Sequence, residues 1–182
     1  MPLGDRKRAK QIIKEIVRQS GRHFDGKTRL FKAFYLAHLY YFNKQPGLLS
    51  DWPIARMPWG PGIDHGDELI RSLVASGELT TESVANGPYT EERYTLTGET
   101  PSGLEAEAIE AIRQACRLIE GKSGTELSDL CHEHSRSWNK GHNGDELNVY
   151  IDVIPEAKLQ QDTARLQRIE DELVEMLEKP LR

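Results

Sequence analysis

Long apolar runs are missing from this 182-residue chain: none approaches the ~18 residues that a helix needs to span a bilayer. The N-terminal MPLGDRKRAKQ has basic residues but no apolar core behind them, so no signal peptide is expected there. Cysteine is scarce. Cys116 and Cys131, both in helical contexts, cannot build a disulfide framework; they predict a reduced, cytoplasmic protein in which both thiols are small core residues. Aromatic residues make up only 7% of the chain, yet Trp52 and Trp59 fall within eight residues of each other.

Catalytic patterns are equally thin. Gly121-Lys122-Ser123 resembles the end of a phosphate loop, but Cys116 stands where that loop needs its first glycine, and a helix precedes it where a strand should. Cys131, His132, His134 and His142 lack a second Cys/His pair at structural-zinc spacing, and His132 and His134 point to opposite sides of a helix. No Gly-x-Ser-x-Gly elbow occurs. His38, inside an apolar helix, reads as a hydrogen-bonded core histidine rather than a base. The expectation is a protein without enzymatic activity, cofactor or metal.

Charge is present but uneven. Residues 1–32 hold ten Lys/Arg against Asp5, Glu15 and Asp25, a net +7, and the other 150 residues hold 14 basic and 26 acidic groups, a net −12. Such asymmetry means either a basic face for an acidic partner or complementarity between segments of one chain.

Periodicity predicts a mainly α protein with a small β-hairpin. A first helix runs from Asp5, its N-cap, to Ser20, with Ala9, Ile12, Ile13, Ile16 and Val17 as an apolar stripe. A second, Lys27 to Asn43, is apolar around most of its circumference and is expected at the centre of the core. Ile54–Met57 is a short extended piece pinned between prolines, and Gly60-Pro61-Gly62 is a turn into a third helix, Asp64–Ser76. A hairpin pairs Glu78–Val84 with Tyr89–Leu96 across Ala85-Asn86-Gly87-Pro88, where Asn-Gly supplies the positive φ values of a tight turn. A fourth helix follows Thr100 and a fifth spans TELSDLCHEH. After the polar stretch 139–148 comes an apolar piece, 149–155, and a long final helix from Glu156. In that helix Leu159, Leu166, Ile169, Leu173, Met176 and Leu177 sit near a seven-residue spacing, in too few and too imperfect heptads for a convincing coiled coil. The domain reading is therefore 5–155 as a helical domain with a hairpin wing, and 156–182 as a helix that packs on the body or pairs with a second copy.

Helix then hairpin is the order of a winged helix. A recognition helix would be Asp64–Ser76, yet it offers Arg71 against Asp64, Asp67 and Glu68, and the hairpin offers Arg93 against Glu78, Glu82, Glu91 and Glu92. Phosphate contact needs several cations, so nucleic acid is a disfavoured partner and a DNA-binding regulator is the alternative reading.

Three motifs in order add a family resemblance: Lys-x-x-Tyr-Leu-Ala at Lys32–Ala37, a strand ending in Trp-Gly-Pro at Trp59–Pro61, and Leu-Ser-x-Leu-x-His followed by Trp at Leu127–Trp138. Together they resemble the Panacea (SocA-like) antitoxin domain over roughly residues 10–155. The family usually has Asp after the Tyr-Leu-Ala run, where this chain has His38. The resemblance implies a cytoplasmic bacterial or prophage antitoxin that neutralises a cognate toxin protein by direct binding, without membrane attachment. Lys32, Tyr35, Leu36, Trp59, Gly60, Pro61, Leu127, His132 and Trp138 are then family-motif residues with structural roles: Trp59 buried at a joint, His132 and Trp138 fixing the fifth helix. The basic face of the first helix (Arg6, Lys7, Lys10, Lys14) is the expected partner contact.

Overall fold

A computed structural model describes residues 5–45, 47–98 and 101–178. Helix α1, Arg6–Gln19, is capped as expected, with the Asp5 carboxylate accepting from the Arg8 N–H at 3.0 Å, and it buries the Ala9, Ile12, Ile13, Ile16, Val17 stripe. Strand β1, His23–Asp25, leads to α2, Lys27–Phe42, in which every residue from Leu30 to His38 is buried. Strands β2, Ile54–Met57, and β3, Gly60–Ile63, precede α3, Gly66–Ala75. The long hairpin is β4, Leu79–Asn86, and β5, Tyr89–Leu96. Helices α4, Ala106–Ile119, α5, Gly124–His134, and α6, Arg136–Lys140, come next, then a 3-10 turn at Val149–Asp152 and α7, Glu156–Glu178. The protein is mainly α with two small antiparallel sheets. No helix among the described residues is long and apolar enough to cross a membrane.

The chain divides into two compact units, Met1–Asp152 and Val153–Arg182. In the first, α2 is the hub. Helix α4 packs along it, α1 rests against both, and the β2–β3 pair and α5 close other sides. A helix apolar all round is stable only when covered all round, which is why so many elements converge on it. In the second unit, α7 carries Leu166 and Ile169 exposed.

Several elements depart from the sequence expectation. Gly60–Ile63 is a strand and not a turn, paired with β2 in the register Ile54↔Ile63 to Met57↔Gly60, so α3 starts at Gly66 and not at Asp64. The polar stretch after residue 139 is part of the sheet edge: Arg56 N–H donates to Asp145 O at 2.8 Å and Leu147 N–H to Ile54 O at 2.7 Å. Strand β1 pairs with β5 (His23↔Thr95), making the hairpin a three-stranded sheet in the order β1-β5-β4. Helix α4 begins at Ala106, beyond Gly103, whose φ of +67° breaks helical geometry. The hairpin turn is Gly87-Pro88, with Gly87 at φ +58° in the position where a II′ turn takes glycine.

The β2–β3 turn depends on one glycine. Pro58 sits at the first turn position, which suits its fixed φ, and Gly60 follows Trp59 at φ +99°. A Cβ on Gly60 would lie 2.5 Å from Lys32 Nζ and 3.2 Å from Cys131 Cβ. Gly60→Ala is expected to cost about 1–3 kcal/mol, read as a lower urea midpoint at unchanged slope.

Candidate functional site

The family-motif residues converge on the join between α2, the β2–β3 turn and α5. Lys32, mid-helix in α2, is 2% exposed, and its Nζ donates to the Pro61 carbonyl at 2.9 Å. An α2–β3 clamp results, and Gly60 must lack a side chain for the ammonium to reach it. Burial lowers the Lys32 pKa to about 8, the neighbouring Cys131 thiol opposing that shift.

One turn on, the Tyr35 hydroxyl donates to Asp152 Oδ2 at 2.7 Å. The same carboxylate accepts from Ser137 N–H and Oγ, each at 2.7 Å, and from Ser135 Oγ at 3.0 Å. Burial, then the Asp152 charge, hold the Tyr35 phenol neutral by raising its pKa. Leu36 and Leu127 are plain core, at 8% and 0% exposure. His38 is buried with Nδ1 2.8 Å from Phe34 O and its ring 4.7 Å from that of Phe34. Burial pushes its pKa down to about 4, so the ring is neutral at pH 7.

His132 and Trp138 stack on each other, centroids 4.1 Å apart and 15° from parallel. The Arg56 guanidinium lies 4.2 Å from the centre of the Trp138 ring. Trp138 Nε1 donates to Met57 O at 2.8 Å, and Arg56 Nε donates to Trp138 O at 3.0 Å. This layered contact ties α5 and α6 to β2.

Trp59 corrects the expectation of a buried joint: it is 68% exposed. Its place at the tip of a two-residue turn carries the ring beyond both strands. Trp52, at 4% exposure, is the buried tryptophan of this region, its Nε1 donating to Asp64 O at 2.7 Å. Trp59 instead stands at the lip of a cleft of about 460 Å³, with Phe31, Met57 and Lys32 among its lining residues. Sequence reasoning missed this cleft; the one available signal was a lysine set among the apolar residues of α2.

The basic residues of α1 lie apart from that cleft. Lys10 Nζ donates to Ser72 Oγ at 2.6 Å on α3, and Lys14 pairs with Glu78 at 2.5 Å, depressing the Glu78 pKa. Only part of this face is therefore left for a partner: Lys7 is exposed and Arg6 half-buried. Among the described residues no group of three or more His, Cys, Asp or Glu is placed to hold a metal ion.

Lys32 makes stability depend on pH in a defined sense. Its folded pKa, about 8, lies below the ordinary 10.5, so the folded state binds the proton less tightly. Its contribution is a penalty on the order of 3 kcal/mol, fully present below pH 8 and relieved as pH rises toward 10.5. Lys32→Met is expected to stabilise the protein at pH 7 by about 1–2 kcal/mol, the bared Pro61 carbonyl offsetting part of the gain. Urea unfolding at pH 7 and pH 9.5 checks both statements; the variant should lose most of the wild-type rise between them.

No curated protein and no solved structure matches the chain. The profile of one family does match, that of the antitoxin SocA-like Panacea domain, over residues 30–139. That span runs from the start of the buried stretch of α2, through the β2–β3 turn, to Trp138 and its stacked partners. With well over half of the sequence matched, and with all nine motif residues inside the matched span, the chain belongs to the antitoxin SocA-like, Panacea domain family.

Proposed function

We propose that this protein is an antitoxin-type binding module that neutralises a cognate toxin protein in the bacterial cytoplasm by direct contact, covering the toxin's working surface without chemistry of its own. The observation that carries this reading is the Panacea match over residues 30–139. Lys32, Tyr35, Leu36, Gly60, Pro61, Leu127, His132 and Trp138 act in it as scaffold, holding β2–β3 and α5–α6 on α2.

Contact through α1 belongs to the same reading. Arg6 and Lys7 are its diagnostic residues, because changing Lys10 or Lys14 would also break their ties to Ser72 and Glu78. Self-association through α7 is the second contact proposed, on the heptad-like spacing of its leucines; sedimentation of the protein with and without residues 156–182 tests it.

Co-expression with the product of the adjacent gene is the first experiment. The reading expects the pair to co-purify and growth to be restored relative to the neighbour alone; neither happening overturns it. In the complex, Arg6→Glu with Lys7→Glu should slow association at least about tenfold at low salt, the difference shrinking as salt screens it.

A further inference from the structure

Two residues of the cleft do more than the scaffold requires. Trp59 exposes a large apolar ring and makes no hydrogen bond among the described residues, whereas the Nε1 atoms of Trp52 and Trp138 each find a carbonyl. Lys32 holds an ammonium at 2% exposure, and its one hydrogen bond among the described residues uses one of three N–H donors. Buried charges are ordinarily paired, and no carboxylate pairs with this one among the described residues. The acidic residues at the rim are committed elsewhere: Asp67 to Lys27 at 3.2 Å, Glu68 to His65 at 3.1 Å.

The cavity between Trp59 and Lys32, about 460 Å³, falls in the size range of small-molecule sites, which are mostly apolar with a few placed polar groups. Phe31 and Met57 supply apolar walls, and Arg71 adds a cation at the rim. A phosphate would seek several donors. Lys27 at the rim is already held by Asp67, so the one buried ammonium among the apolar walls instead suits one carboxylate on an apolar body.

We propose that this cleft binds a small apolar carboxylic acid, its carboxylate turned to the Lys32 ammonium and its body held by Phe31, Met57 and the Trp59 indole. The site is separate from the basic face of α1 and does not depend on the antitoxin reading, which the co-expression experiment tests alone.

The test uses the full chain with ¹⁵N-labelled tryptophan. Indole-3-acetate, phenylacetate and hexanoate are titrated, each beside its neutral amide, while the indole N–H resonances are followed. At least one acid should shift the Trp59 resonance saturably and bind at least about tenfold more tightly than its amide, the margin expected for hydrogen bonding to a charged group. In Lys32→Met that preference should fall below about twofold while the weak amide binding persists. Trp59→Ala, titrated by calorimetry because it lacks the reporting indole, should weaken acid and amide alike. In the wild type the preference should fade as Lys32 is deprotonated at high pH, a readout that needs no variant.

No saturable shift with any of the three acids overturns the proposal, as does an acid preference that survives both Lys32→Met and high pH. A further arm uses a short peptide with a free C-terminal carboxylate; binding of that peptide with none of the free acids overturns it in favour of a protein partner's chain end.

Discussion

Nine consecutive residues of α2, Leu30 to His38, are buried, so one helix presents apolar surface in every direction. Burying such surface is favourable by roughly 25 cal/mol per Å², and leaving any side open would forfeit that locally. Much of the first unit can be read as cover. Helix α4 takes one side and α1 leans on both. The β2–β3 pair and α5 take another, and the 3-10 turn at Val149–Asp152 arrives last. The small sheets are consequences of this demand: two strands of four residues are marginal alone, and β2–β3 persists because it lies on α2 and is flanked by the 145–147 stretch.

Near-complete burial leaves α2 with polar side chains largely cut off from water, and each is handled differently. Tyr35 reaches Asp152, a carboxylate already held by two serines. His38 turns back on its own helix and stays neutral. Lys32 spans to Pro61 and keeps its charge at neutral pH against the pull of burial. The Tyr35 and Lys32 bonds fix the register in which β3, α6 and the 3-10 turn meet the hub, because a side chain with one acceptor tolerates no sliding. Polar groups thereby specify an arrangement that apolar packing alone would leave looser.

The α1 stripe, the all-round apolarity of α2 and the long hairpin were legible in the sequence because each is a local pattern several residues long. Strands β1 and β3 were not. The first is three residues, and the second, Gly-Pro-Gly-Ile, has the composition of a turn and becomes a strand only through its neighbours. The family motifs were readable as a set, yet the orientation of Trp59 was not, because burial of a turn residue depends on which way the turn faces. The cleft needs α2, β2 and the turn to converge, which no single segment encodes. Charge was misleading for a related reason: part of the basic excess of residues 1–32 is answered across the fold, Arg8 by Glu105, Lys14 by Glu78 and Lys27 by Asp67.

The Tyr35–Asp152 bond joins residues 117 apart in sequence, and the Arg56–Trp138 bond residues 82 apart. On a ribosome adding ~5–20 residues per second, the hub emerges on the order of ten seconds before its last cover does. During that interval α2 is the most adhesive segment of the nascent chain. Synthesis thus opens a window in which the helix has α1 beside it but not yet the rest of its cover.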